Sequence, residues 1–329
     1  MARTEPLNVF FLGSGIFAVP VLEALVSSPR IRVTGLATQP DREAGRHRQL
    51  TPTPLGRRAD EMGLACLRTK SVNTPEFLDT VRKASPDVVV VVSFGQLLKE
   101  ELLSLPRLGC FNVHASLLPR YRGASPIVTA VLNGDEVSGV SFMRMEKGLD
   151  TGPVYEMHRC PVPPEMTADE LERTLSALAA EKIESCLLRL DAGEVTAVPQ
   201  GEEGVSVAVK IRKSDGAVDW REDAVALARK VRAYHSWPSM SFRFSRKNRV
   251  VNVKIMRASW TSWESPDAVP GKFIAYSNNK MMISCGKGSL VVERILPEGK
   301  KEMPVADFLN GSRIAVGEVL LNGRDDLPS

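Results

Sequence analysis

Pro86 to Leu98 reads PDVVVVVSFGQLL. Its five consecutive β-branched residues, Val88 to Val92, favour extended backbone. They show no alternation of apolar and polar side chains, so the strand they form is covered on both faces. Such a strand belongs inside a parallel sheet flanked by helices. Working outward, further apolar runs stand at Asn8 to Gly13, Arg32 to Thr38 and Gly109 to His114, with helical stretches between them. Strands separated by helices imply right-handed crossovers and an α/β, doubly wound (Rossmann-like) N-terminal domain. Functional groups in such a sheet gather beyond the carboxyl ends of its strands.

The run ending at His114 places chemistry at that edge. Asn112 and His114 are two residues apart, so on a strand their side chains leave from the same face. The amide NH2 of Asn112 is a donor for an oxyanion. The imidazole of His114 exchanges a proton near neutrality. A carboxylate arriving from another loop would orient the ring, and Asp150 in GLDTG is the candidate. The combination points to acyl transfer, while the bland alternative makes the three residues strand-end and turn groups satisfying local backbone. A metal site is disfavoured, because the four histidines, His47, His114, His158 and His235, are far apart and lack the H-E-x-x-H spacing.

Farther on, Thr167 to Glu170 (TADE) reads as a capping box opening a long helix to about Leu190, stopped at Asp191-Ala192-Gly193. The stretch 193–209 carries Gly, Pro and acidic residues without helical period and reads as a linker holding short strands at most. Ala224 to Tyr234 reads as a helix. The alternating segments Val250 to Met256, Met281 to Ser284 and Leu290 to Ile295 then predict a small C-terminal β-barrel. The expected domains are therefore 1–192, a linker at 193–209, and 210–329.

Composition agrees with two ordinary domains, since 329 residues at 43% hydrophobic content exceed the usual single core. No apolar run is long enough to span a bilayer, and MARTEPLNVFFLG lacks the apolar core of a signal peptide, so a cytoplasmic protein without membrane contact is expected. Five cysteines without C-x-x-C spacing argue against a disulfide framework and against zinc. From Lys210 onward there are 21 Lys and Arg against 13 Asp and Glu, while the first 209 residues carry 22 against 26. A basic second half favours a polyanionic partner over a merely solvated surface, and Lys210, Arg212, Lys213 and the run Arg243 to Arg249 direct that expectation toward RNA.

Gly13 to Ala18 fits the relaxed dinucleotide fingerprint G-x-G-x-x-A after a strand, with Asp41 downstream, but this short pattern arises wherever backbone passes closely. Thr38 to Pro54 is a long polar stretch carrying Arg42, Arg46, His47 and Arg48, suited to phosphate contact or else to an ordinary surface loop. Trp220, Trp237 and Trp260 could stack on bases, although core packing is the commoner use of tryptophan.

FNVHASLLPRYRGASPI from Phe111, together with GLDTG, resembles the 10-formyltetrahydrofolate-dependent formyltransferases, most closely those acting on methionyl-tRNA. TQPDREAGR (Thr38 to Arg46), PDVVVVVSFGQLL, DW (Asp219, Trp220), WP (Trp237, Pro238) and GKKEMPVADFLNG (Gly299 to Gly311) extend the likeness over nearly the whole chain. The resemblance implies that Asn112, His114 and Asp150 are the catalytic trio of an N-terminal formyltransferase domain. It implies that Ser116, Leu117, Leu118 and Pro119, with Phe94, Gly95, Gln96 and Leu97, bind 10-formyltetrahydrofolate. It also implies that the loop carrying Arg42, with Arg46 on the same cationic stretch, contacts the tRNA acceptor stem, and that the second domain is an oligonucleotide-binding-like barrel, on which Lys210, Arg212 and Lys213 are expected from their charge to contact tRNA. The implied reaction moves a formyl group to the α-amino group of methionyl initiator tRNA and requires no metal; no protein partner is implied, and a monomer is expected. Arg120, Tyr121 and Arg122 are left between the folate tail and the RNA end. At one loop the chain departs from the pattern, with Gly13-Ser14-Gly15 in place of the family's usual Gly-Thr-Pro. Rival readings are formyl transfer to a small amine such as a sugar nucleotide, hydrolysis of formyltetrahydrofolate, or an RNA-binding module without catalysis.

Overall fold

The computed structural model describes residues 5–44, 49–246, 249–266, 269–312 and 314–323. The chain divides into two compact units, one of residues 1–127, 137–162 and 171–209, the other of residues 128–136, 163–170 and 210–329.

The first unit is built on a seven-stranded sheet in the order Val154–Pro161, Val137–Arg144, Cys110–His114, Val88–Val92, Leu7–Gly13, Ile31–Thr38, Leu67–Arg68. The last five run parallel. All five valines of Val88–Val92 are buried, as a strand covered on both faces requires. Val89 and Val91 pack with Phe77, Leu78 and Val81 of the helix Pro75–Ala84. That helix begins where Thr74 accepts the Phe77 N–H, with Pro75 in a first turn that needs no donor. The helix Pro54–Glu61 starts in the same way, on Thr53 and Pro54.

Val137–Arg144 and Val154–Pro161 add an antiparallel edge to the parallel sheet that the sequence predicts. These two strands form a hairpin pair, and nothing in their composition reveals the reversal. The polar stretch after Thr38 also contains more order than expected, because Arg42–Ala44 pairs antiparallel with Gln49–Thr51. Arg46, His47 and Arg48 lie outside the described residues.

The capping box at Thr167 is present: Glu170 accepts the Thr167 N–H at 2.8 Å and returns its own N–H to the Thr167 hydroxyl at 3.3 Å. The helix Ala168–Asp191 follows, and Gly193 leaves it in a left-handed conformation, φ +73°.

The second unit carries a curled antiparallel sheet in the order Ser241–Arg246, Arg249–Thr261, Ser289–Pro297, Lys280–Ser284, Phe273–Ser277. The helix Ala224–Ala233 lies on it through Leu227, Ala228 and Val231. Residues 317–321 bond to both outer strands. Gly317 donates to the Phe273 carbonyl at 2.7 Å, while Leu321 and Arg243 exchange backbone bonds at 2.8 and 3.2 Å. The sheet's two edges are thereby closed into a barrel. Trp220 is fully buried against Phe242, whereas Trp237 and Trp260 are more than half exposed. No helix among the described residues is long and apolar enough to cross a membrane.

Candidate active site

Asn112 and His114 stand on the strand Cys110–His114, whose neighbours on both sides bury it, and both side chains are themselves buried. Their period-two spacing brings both to one carboxylate. Asn112 Nδ2 lies 3.5 Å from Asp150 Oδ1, and His114 Nδ1 lies 3.7 Å from Asp150 Oδ2. On its other edge His114 Nε2 meets the Tyr121 carbonyl at 2.8 Å. A carbonyl only accepts, so Nε2 carries a hydrogen and Nδ1 is the edge that gains or loses a proton. The 3.7 Å gap is longer than a hydrogen bond, which leaves Nδ1 able to engage a third atom.

Asp150 sits in the connection between the two antiparallel edge strands, at φ +54°. Its Oδ2 accepts the Gly123 N–H at 2.8 Å. Gly152, two residues on, is required by contact: a Cβ there would lie 1.9 Å from the Arg144 carbonyl oxygen. Gly123, at φ +109°, is likewise tied to Ala208, whose carbonyl oxygen would be 2.8 Å from an added Cβ. The spacing in GLDTG thus reflects a carboxylate delivered on a closely packed hairpin bend.

The Ser116 to Pro119 loop follows directly. Ser116 is buried and donates to the Arg120 carbonyl at 2.6 Å, and Ser141 donates to the Ser116 carbonyl at 2.7 Å. Leu118 is buried with Met143 and Val154, and Leu117 packs over Gly139. Pro119 follows a cis bond, and its carbonyl receives the Ser206 N–H at 3.3 Å. The trio and this loop therefore occupy one region of the first unit.

The segment Phe94 to Leu97 leaves the adjacent strand at the same edge. Phe94 is buried in the core, Gly95 turns at φ +76°, and Leu97 is 72% exposed. Gln96 is partly committed to the scaffold, donating to the Thr69 carbonyl and accepting the Val72 N–H. A cavity of about 350 Å³ lies beside this segment, lined by Gln39, Pro40, Arg42, Lys70, Gly95 and Gln96. Gln39 donates to the Phe94 carbonyl at 2.6 Å and accepts from the Arg42 guanidinium. Arg42, read from sequence with the RNA contacts, thus shares a cavity with two residues read as folate contacts. Ser14 of the departing glycine loop holds the start of this region, accepting the Gln39 N–H at 3.2 Å. Lys210, Arg212 and Lys213 are exposed on the second unit. Among the described residues no group of three or more His, Cys, Asp or Glu is placed to hold a metal ion.

Three contributors to the trio's surroundings are not predicted by the sequence: the Tyr121 carbonyl, the Gly123 N–H and Gln200. The first two are backbone groups, to which side-chain patterns are blind. Gln200 lies in the stretch 193–209 read as a linker. It donates from Nε2 to the carbonyls of Asp150 at 2.8 Å and Gly152 at 2.7 Å. The only local signal there is the turn-forming Pro199-Gln200-Gly201.

An α/β sheet with a buried amide and imidazole and a half-buried carboxylate gathered at its carboxyl edge has the layout of an enzyme. The chain belongs to the formyl transferase family, whose model matches residues 7–186, with the formyl transferase C-terminal domain matching 210–313. Among curated relatives, the methionyl-tRNA formyltransferase of Sorangium cellulosum is 38% identical over 315 residues, covering 95% of this chain and 99% of the relative. That of Geobacter sulfurreducens is 35% identical over 311 residues, covering 94% and 96%. Among solved structures, an N-formyltransferase from Helicobacter canadensis matches with a TM-score of 0.58 at 16% identity, over 87% of this chain and 98% of that one. HypX from Aquifex aeolicus, in complex with tetrahydrofolic acid, matches with a TM-score of 0.58 at 17% identity, over 95% and 48%. The structural likenesses establish the shared fold.

Proposed function

We propose that this chain transfers the formyl group of 10-formyltetrahydrofolate to the α-amino group of methionine carried by initiator tRNA. The observation that carries the reading is the match along both halves of the chain to methionyl-tRNA formyltransferases at 35–38% identity. WlaRD, a sugar 3N-formyl transferase of known structure, shares the fold at only 16% identity with a TM-score of 0.60, so the small-amine reading has less support.

The folate supplies the formyl group as co-substrate, held by the Phe94 to Leu97 segment and the Ser116 to Pro119 loop. Two observations fit this: Gly95 is exposed with a left-handed backbone, φ +76°, where a flat heterocycle's edge can pair with it, and both segments lie at the sheet's carboxyl edge. Asn112 keeps one Nδ2 hydrogen on Asp150 and directs the other at the oxygen of the carbonyl under attack. His114 carries at Nδ1 the proton in transit, and the Asp150 carboxylate stabilises the imidazolium that results. One C–N bond forms to the methionyl amine as the bond to the folate nitrogen breaks. A proton from the amine ends on that nitrogen.

The domain reading places formyl transfer in residues 1–192 and RNA binding in 210–329, joined by 193–209. Lys210, Arg212 and Lys213 supply phosphate contacts, and Arg42 and Arg46 approach the acceptor end. The enzyme works as a cytoplasmic monomer. The deciding assay presents 10-formyltetrahydrofolate with charged initiator tRNA, charged elongator methionyl-tRNA and an amino-sugar nucleotide. Formylation confined to the initiator supports the reading, and preferential formylation of the sugar overturns it.

A further inference from the structure

We propose that Gln200 is a positioning residue for Asp150, acting with Arg122, which makes the segment 193–209 part of the catalytic apparatus. The proposal rests on the reading of Asp150 as the carboxylate serving His114. A glutamine amide has two hydrogens to give and two lone pairs to fill. In Gln200 all four are used. The hydrogens go to the carbonyls of Asp150 and Gly152, and Oε1 accepts from Arg122 Nε at 3.0 Å and Nη2 at 2.8 Å. The guanidinium polarises the amide, which strengthens the two bonds it donates.

Asp150 needs such support. Its left-handed backbone is unfavourable for a residue with a Cβ and persists only where surrounding contacts over-determine it. The Asp150 side chain is held by Gly123 and faces Asn112, but its backbone carbonyl is held by Gln200. The same segment also fixes the neighbours of the trio. Ala208 pairs with Gly123, whose N–H serves the carboxylate, and Ser206 Oγ accepts from Tyr121, whose carbonyl receives His114 Nε2. One continuous strap therefore sets the contacts of both His114 and Asp150.

The test uses Gln200→Met, which removes donor and acceptor at similar volume. It also uses Gln200→Glu, which keeps the acceptor for Arg122 but turns the two donors into a charge facing two carbonyl oxygens. Both variants should lower kcat by about a hundredfold, the scale of an ångström misplacement, with KM for formyl donor and charged tRNA largely unchanged. Added to Asp150→Asn, Gln200→Met should cause no further loss, because a residue acting only through Asp150 has nothing left to position. Parent-like kcat in both single variants, a loss confined to KM, multiplicative losses in the double variant, or failure of both variants to fold would each overturn the proposal. If Asp150→Asn itself turns over like the parent, the reading of Asp150 fails and takes the proposal with it. A crippled Asp150→Asn beside an unaffected Gln200→Met overturns the Gln200 assignment alone.

Discussion

Asn112 and Asp150, separated by 38 residues of chain, face each other across 3.5 Å, amide Nδ2 to carboxylate Oδ1. The contact orients the amide, so its second hydrogen has a defined direction before substrate arrives. Asn112→Ala should lower kcat about a hundredfold or more, the usual effect of removing an oxyanion donor. His114→Ala and Asp150→Ala should lower turnover by orders of magnitude, with tRNA affinity nearly unchanged, because the trio acts on the transition state. Steady-state kinetics alongside a tRNA binding titration checks both halves, and near-parent turnover in any of the three counts against the assignment.

Gly152→Ala tests the packing behind Asp150. An added Cβ meets the Arg144 carbonyl oxygen at 1.9 Å, and a backbone atom cannot swing aside. The bend must shift, carrying Asp150 with it. Stability should fall by about 1 to 3 kcal/mol, as for overpacking generally, and kcat should fall with it. A denaturant midpoint and turnover on the same sample decide the matter. A variant matching the parent in both would show the bend to be soft.

Arg42→Ala probes the cavity shared by the two substrate readings. If Arg42 grips the RNA end, kcat/KM for charged initiator tRNA should drop sharply while folate affinity and Tm stay put. Loss of folate binding would assign the guanidinium to the co-substrate instead, in keeping with its bond to Gln39 and its place beside Gly95.

Replacing Lys210, Arg212 and Lys213 together with neutral residues should weaken tRNA binding at low salt. The slope of log affinity against log salt should flatten by about 0.7 to 0.9 for each phosphate that is no longer neutralised. Binding titrations at several salt concentrations read this directly. An unchanged slope would move the RNA footprint elsewhere.

The cysteines should be inert in the native protein. Burial pushes the Cys110 and Cys285 thiols up to about 12, and burial pushes Cys66 up to about 11. A raised thiol pKa keeps the unreactive neutral form until pH approaches that value, so alkylation at pH 8 should be slow and quicken about tenfold per pH unit. All five thiols should label after denaturation. Rapid labelling of the folded protein at pH 8 would contradict the burial.

Features carried by local chemistry were legible in the sequence. Val88 to Val92 announced a strand covered on both faces, Thr167 with Glu170 announced a helix start, and the Asn112 to His114 spacing announced a shared face. What escaped depends on long-range pairing. The antiparallel reversal at Val137–Arg144 leaves no trace in composition, and Gln200 reaches Asp150 through isolated hydrogen bonds that create no periodicity. The stretch around it looked like a connector because polar residues bonding to distant backbone resemble polar residues bonding to water.

Residues 317–321 hydrogen-bond both outer strands of the second unit's barrel. Bare strand edges invite pairing with another chain, and here one short stretch masks two of them at once. Cleavage ahead of Gly317 would take only Leu320 from the barrel's buried core yet uncover a pair of adhesive rims. The first symptom of such damage should be self-association at otherwise harmless concentrations, ahead of any loss of secondary structure.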